Sequence, residues 1–409
     1  GATQVAGFEP GGIHRRLMQH FGLPLPAATP LDPGCSVWLA GETAPIQLWR
    51  DPQRWREERR RQFPGSERFW SLCAQLHRSS WAFASRDPVL PPRNPWDWRQ
   101  LLAALDPGVI ASGLFTAATV ADLLTLCGCG GDGRLRRFLD LQLRLYSQEP
   151  AAGTAALYGA TVLAMAQEPL GLWHLQGSMQ ALCTALERAL AAAGGQLRLR
   201  HRVQRLRRQG GGWLVQGSGP AQRPFALQAD QLVCSLPPQL LPELLEDPPP
   251  PGYSQRLGSF PDPSGALVLY GAVERDRLPP GLGLHAQLEW QRPGSLFVSL
   301  SAEGDGRAPA GQATVIASVF TPGGGHLPVA QTAGPGGDAG GIAAAVGAGP
   351  RRLPPRGAGH PPRVCRLDRS PLWICGGSGA APQPLRPLRP GQPHPPARPV
   401  ALRRCHPPR

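Results

Sequence analysis

The chain has 409 residues and is 41% hydrophobic, enough for two or three domains with a sizeable core. Its net charge of +14 invites a nucleic-acid reading, but all 42 basic residues are Arg, and residues 322–409 hold 12 of them against only Asp338 and Asp368. The other 321 residues carry 30 Arg against 26 acids, so the body is only mildly basic and no nucleic-acid partner is expected.

No run of about 18 apolar residues marks a membrane span. No signal peptide opens the chain, and its first residue is not Met, so an upstream segment is expected to have been removed. Nine Cys are scattered; Cys127 and Cys129 form a C-x-C with no second pair at zinc spacing. Buried thiols are expected, not a disulfide framework or a metal site.

Residues 1–150 read as mostly helical, with Pro-rich breaks. Ser66 is expected to cap a helix from Glu67 to about Phe83, with Phe69, Trp70, Cys73, Leu76 and Trp81 at helical spacing. An Arg-rich stretch, Arg54 to Arg61, precedes it, and six Trp fall between Trp49 and Trp98. Arg beside Trp suits a lipid–water interface, because both present apolar bodies and polar tips; ordinary core Trp is the plainer reading.

Residues 178–245 are the most legible. Ser178 precedes a helix with Met179, Leu182, Leu186 and Leu190 on one face, and Gly194-Gly195 ends it. Gln196 to Arg208 alternates as a strand, with Leu197, Leu199, His201 and Val203 on one side. Residues 209–212 turn the chain into a second strand at Trp213 to Val215. Phe225 to Leu227 and Leu232 to Ser235 read as two more. Four further strands at Ala266–Val273, His285–Trp290, Leu296–Leu300 and Ala313–Phe320 predict an antiparallel sheet and a second domain. Residues 322–409 hold 19 Pro and 16 Gly and no Glu, Phe, Tyr, Asn or Met, so disorder is expected there.

No G-x-S-x-G elbow, paired metal-binding His or G-K-S/T phosphate loop occurs. His174 and His201 read as packed core histidines. Trp373-Ile-Cys-Gly-Gly-Ser-Gly-Ala-Ala381 imitates a strand entering a dinucleotide loop, but Pro382, Pro384, Pro387 and Pro390 forbid the helix that must follow.

His174-Leu-Gln-Gly-Ser-Met179 resembles the G-G-M that opens a helix in flavoproteins of the phytoene desaturase and amine oxidase superfamily. Ala229-Asp230 to Cys234-Ser235-Leu236-Pro237 is similar to that family's strand returning to the FAD domain. Gly1-Ala-Thr-Gln-Val-Ala-Gly-Phe-Glu-Pro-Gly-Gly12 resembles the segment after the second FAD-domain strand in cyanobacterial carotenoid 3',4'-desaturases. The resemblance covers roughly residues 1–321.

It implies an α/β, two-domain, amine-oxidase-like fold with FAD as cofactor. The expected parts are a remnant of the FAD domain at 1–13, a helical lid facing substrate and membrane at 14–177, and an FAD-domain helix–strand–hairpin at 178–245. An antiparallel-sheet substrate domain at 246–321 and a disordered tail at 322–409 complete it. Gly1, Ala2, Thr3 and Gln4 would pass near the flavin ring; Val203 would meet the adenine by its backbone, and Leu236 and Pro237 would also contact cofactor. No catalytic residue is assigned. The implied reaction is carotenoid desaturation: a hydride passes to the flavin while a proton leaves the adjacent carbon. The implied place is peripheral, on the cytoplasmic face of a thylakoid or plasma membrane.

Two family signatures are missing: the G-x-G-x-x-G strand with its acidic ribose partner, and a closing G-D-x-x-x-P-G segment. Back-translating 400–409 and shifting by one base can give WLCGDAIHP, which resembles that closing segment, so a frameshift near Pro322 is expected. Other readings stay open: an inactive remnant unable to bind FAD, another amine-oxidase or isomerase-type flavoprotein, or a basic RNA- or membrane-binding protein acting through its tail.

Overall fold

The computed structural model describes residues 4–260, 264–289 and 294–321. The strands are β1 (Gln4–Val5), β2 (Ala28–Pro30), β3 (Ser36–Trp38), β4 (Ile46–Gln47), β5 (Trp173–Leu175), β6 (Arg202–Gln209), β7 (Gly212–Ser218), β8 (Pro224–Ala229), β9 (Gly265–Glu274), β10 (His285–Glu289), β11 (Ser295–Leu300) and β12 (Gln312–Thr321). The helices are α1 (Ile13–His20), α2 (Pro52–Gln62), α3 (Glu67–Ala84), α4 (Pro95–Ala104), α5 (Pro107–Ser112), α6 (Val120–Leu126), α7 (Gly133–Tyr146), α8 (Ala156–Ala164), α9 (Gln180–Ala192), α10 (Leu241–Leu244) and α11 (Pro251–Gly258). This mixed α/β content matches the fold class expected from the sequence.

Three helices of the helical lobe, α2, α4 and α5, start by the same chemistry. Asp51, Asn94 and Asp106 each stand just before a Pro, and each side chain accepts the backbone N–H three residues on. Pro lacks the N–H that a first helical position would leave unpaired, so the combination fixes the helix start. Thr119 and Asp122 form a reciprocal capping box on α6. α2, α3 and α6 to α8 enclose a core in which Trp55, Phe63, Phe69, Trp70 and Phe138 meet at ring distances of 5.0–6.5 Å.

Three sheets accompany that lobe. One has the order β1-β5-β2 and one β6-β7-β8; the third runs β4-β3-β10-β11-β12-β9. In the six-stranded sheet β9 to β12 pair antiparallel as expected, but β10 also pairs β3 in parallel. The sheet is therefore mixed, and it takes two strands from residues 36–47, which had read as part of a helical region. Buried Gln287 on β10 bonds buried Gln142 of α7 and the Leu141 carbonyl, fixing the helical lobe to the sheet.

Other differences have local causes. Ser66 precedes α3 but makes no side-chain cap. Its hydroxyl donates to Phe63 O at 2.7 Å and accepts Trp70 Nε1 at 3.1 Å instead. α9 ends as expected: Gly194, at φ +78°, bonds back to Ala191 O, and Gly195 to Leu190 O. Gly210-Gly211, at φ +58° and +83°, make the tight turn between β6 and β7.

One expected strand starts late, at Arg202 rather than Gln196, and the one expected at Leu232 to Ser235 does not form. Residues 196–200 and 232–235 are irregular, and Leu197, Leu199 and Val233 are exposed. An alternating segment needs a neighbouring strand to take its N–H and C=O groups and a layer to cover its apolar side. Neither segment has a strand partner among the described residues. The sequences expected to be a frameshifted tail and a false dinucleotide loop lie outside the described residues.

Candidate functional site

The residues expected to face a cofactor do not converge. Gly1, Ala2 and Thr3 lie outside the described residues. Gln4 sits on β1 opposite His174 of β5, and its Nε2 donates to Gly34 O at 2.6 Å. Val203 lies on β6, in a different sheet, at an irregularity where the register with β7 shifts. Leu236 and Pro237 are in irregular chain, with Leu236 exposed. No hydrogen bond among the described residues joins these three places.

A flavin dinucleotide also needs backbone N–H groups at a helix N-terminus to hold its pyrophosphate. α9 follows Gly177-Ser178, but the Ser178 hydroxyl already accepts the Gln180 N–H at 3.1 Å, and no glycine-rich loop leads from a strand into it. Among the described residues, the positions expected to meet the cofactor therefore stand apart, on β1, on β6 and in the irregular chain at 236–237.

The buried polar geometry lies elsewhere, where β5 meets β10. His174 Nδ1 and His285 Nε2 are 3.5 Å apart, and His174 Nε2 is 3.5 Å from Asp305 Oδ2. Asp305 accepts Arg307 Nη2 at 2.7 Å and the backbone N–H groups of Ala302 and Arg307. Glycines at φ +73° and +77°, Gly304 and Gly306, wrap the loop around it. His285 stacks on Phe297 at an interplanar angle of 4°.

Burial pushes His285 down to about 3, helped by His174 and Arg307 beside it. Burial also lowers His174, against the opposing pull of Asp305. Burial alone would raise Asp305, but the Arg307 guanidinium and the two backbone donors outweigh it and hold its carboxyl below the usual range. At neutral pH the chain is thus a charged Arg–Asp pair followed by two neutral imidazoles. At its far end His285 Nδ1 is buried with no hydrogen-bond partner among the described residues, and the chain joins two sheets.

The sequence placed His174 correctly as a packed histidine, and it is 2% exposed. His201 is only half-buried, edge-on to Phe225 at 5.1 Å. The partners His285, Asp305 and Arg307 were missed, since nothing local links three residues more than 100 positions from His174. The cysteines Cys35, Cys73, Cys127 and Cys129 are buried free thiols, with Cys35 pushed up to about 12 by burial. Cys183 and Cys234 are exposed.

Solved structures align with most of this chain. The PF1083 protein of Pyrococcus furiosus aligns with a TM-score of 0.50 and 12% identity, over 78% of this chain and 66% of its own. An oxidoreductase of Methanosarcina mazei aligns at 0.49 and 12% identity, over 78% and 67%. A fatty acid isomerase from P. acnes aligns at 0.41 and 12% identity, over 74% and 61%. The chain thus spans slightly under two thirds of the length of the Pyrococcus protein. No curated protein matches the sequence. Residues 123–334, more than half of the chain, match the family of flavin containing amine oxidoreductases, and the chain belongs to that family.

Proposed function

We propose that this protein derives its activity from an FAD-dependent desaturation of an apolar polyene of the carotenoid class, taken from a membrane on which it rests peripherally, at the cytoplasmic face. The supporting observation is the outer surface of the helical lobe. Trp96, Trp98 and Leu102 on α4, Ile110 on α5 and Leu114 just beyond it are exposed, Leu114 at 85%. Trp81 of α3 and Leu90 add to the same part of the chain. Apolar side chains gathered in this way mark an interaction surface. Arg93 and Arg99, both exposed, stand beside the two Trp, as at a lipid–water boundary. Among the described residues no helix is long and apolar enough to cross a membrane. The chain's own part is then to bind an apolar substrate, orient it and exclude water.

A second reading has a specific observation in its favour. The described residues do not complete an FAD site, and segments 196–200 and 232–235 lack strand partners. On that reading residues 1–409 alone are a catalytically silent member of the family.

The substrate is tested with a form carrying a strand–G-x-G-x-x-G–helix unit ahead of Gly1, loaded with FAD and kept free of oxygen. Vesicles containing a carotenoid should bleach the flavin and shift the polyene absorption to longer wavelength. Bleaching by a primary amine, with none by the carotenoid, would overturn the proposed substrate class.

A further inference from the structure

Between α2 and α3 lies a cleft of about 480 Å³ whose lining includes Arg56, Arg59, Arg60, Glu67, Trp70 and Arg78, a volume within the ~300–1,000 Å³ of ligand sites. We propose that this cleft binds a phosphate group, either a free diphosphate or the headgroup of an anionic phospholipid.

The charge balance comes first. Four guanidinium groups face one carboxylate, a net of +3 in one concavity, and low-dielectric walls focus that field. Arg56, Arg59 and Arg60 stand at positions i, i+3 and i+4 of one helix, where like charges oppose helix formation. An arrangement that served stability alone would alternate signs there.

The internal counter-charge is also too weak. Glu67 reaches Arg59 Nε only at 3.6 Å and Arg60 Nε at 4.0 Å, beyond hydrogen-bond length. Arg59 Nε and Glu67 Oε1 are both buried with no hydrogen-bond partner among the described residues. Arg56 and Arg78 form no ion pair among the described residues.

The central guanidinium is fixed in place. Arg59 lies over Trp70 at 5.2 Å and Trp55 at 5.7 Å, and its side chain is 14% exposed. Burial lowers its pKa, the mark of a cation stripped of water, and guanidinium stays charged regardless. Planar forks of fixed orientation suit the several oxygens of a phosphate, which accept bidentate bonds. A single carboxylate would leave most of these donors unused. α3 runs on from this cleft to the exposed Trp81, so a headgroup here and an apolar lobe beyond would meet one lipid surface.

The test needs no flavin and is independent of the substrate reading. The full chain is titrated with inorganic pyrophosphate, following the fluorescence of the nearby Trp55 and Trp70. The R56Q/R78Q variant removes two exposed, unpaired guanidiniums and should keep the wild-type melting temperature. R205Q/R223Q, on β6 and just before β8, removes the same charge elsewhere. Pyrophosphate binding should weaken at least tenfold in R56Q/R78Q and less than twofold in R205Q/R223Q. A second arm measures flotation with phosphatidylcholine vesicles with and without phosphatidic acid. Loss of flotation in R56Q/R78Q, with competition by pyrophosphate, assigns the headgroup; flotation equal to that of R205Q/R223Q, with pyrophosphate binding still lost, assigns a free phosphate. If neither ligand distinguishes R56Q/R78Q from R205Q/R223Q, the cleft is only a share of general positive charge and the proposal fails.

Discussion

His174 on β5 and His285 on β10 face each other at 3.5 Å, both 2% exposed, and so tie the small N-terminal sheet to the large one. Around them stand Asp305, Arg307 and the Phe297 ring. Burial disfavours a proton on either imidazole.

That has a consequence for acid stability. Folded His285 titrates near 3, against 6.5 for the free side chain. Between these values the unfolded chain binds a proton that the folded chain refuses, so stability is whole above about pH 6.5 and falls as pH drops toward 3. The loss approaches about 1.4 kcal/mol per pH unit for one such site. Asp305, held below its usual range, adds a loss of the same sign at lower pH. His285→Leu should flatten the denaturation free energy between pH 6 and 4, measured by urea unfolding; an unchanged slope would place the acid sensitivity elsewhere.

Ser66 offers a second test. Its hydroxyl is buried and serves both Phe63 O and Trp70 Nε1. Ser66→Ala strands the Trp70 N–H in the core, at about 1–3 kcal/mol. Ser66→Thr, which keeps the hydroxyl, should recover most of that if the cost is the hydrogen bond.

The unpartnered segments should make the chain associate with itself. Leu197, Leu199 and Val233 are exposed beside backbone with no strand neighbour. Replacing all three by Gln should raise the concentration at which light scattering begins, with the melting temperature unchanged. A fall in melting temperature would show that these side chains are covered in solution.

The outer lobe predicts membrane behaviour. Trp98→Ser with Leu114→Gln should lower partition onto vesicles about a hundredfold or more, since each large side chain contributes roughly 1.5–3 kcal/mol on leaving water. Both are exposed, so thermal stability should not move.

Much of this was legible from the chain. α3, α9 and the β6–β7 hairpin declare themselves through apolar period, capping glycines and Gly210-Gly211, which are local signals. Leu197, Leu199 and residues 232–235 carry an equally clear strand pattern, yet strand formation is a property of pairs, and these segments pair with no strand among the described residues. The parallel β3–β10 pairing joins residues some 250 positions apart and leaves no local trace. The Trp cluster divides for the same reason: Trp55 and Trp70 are core while Trp81, Trp96 and Trp98 are exposed, a division set by packing against Phe138, not by spacing.

The most direct test is to titrate the 409-residue chain with FAD, beside a form carrying a strand–G-x-G-x-x-G–helix unit ahead of Gly1, and follow flavin absorbance after gel filtration. The account predicts that the first retains no flavin and the second retains about one per chain. Stoichiometric flavin on the unfused chain would show that its own residues complete the site, and none on the fused form would contradict a working flavin surface in residues 4–321.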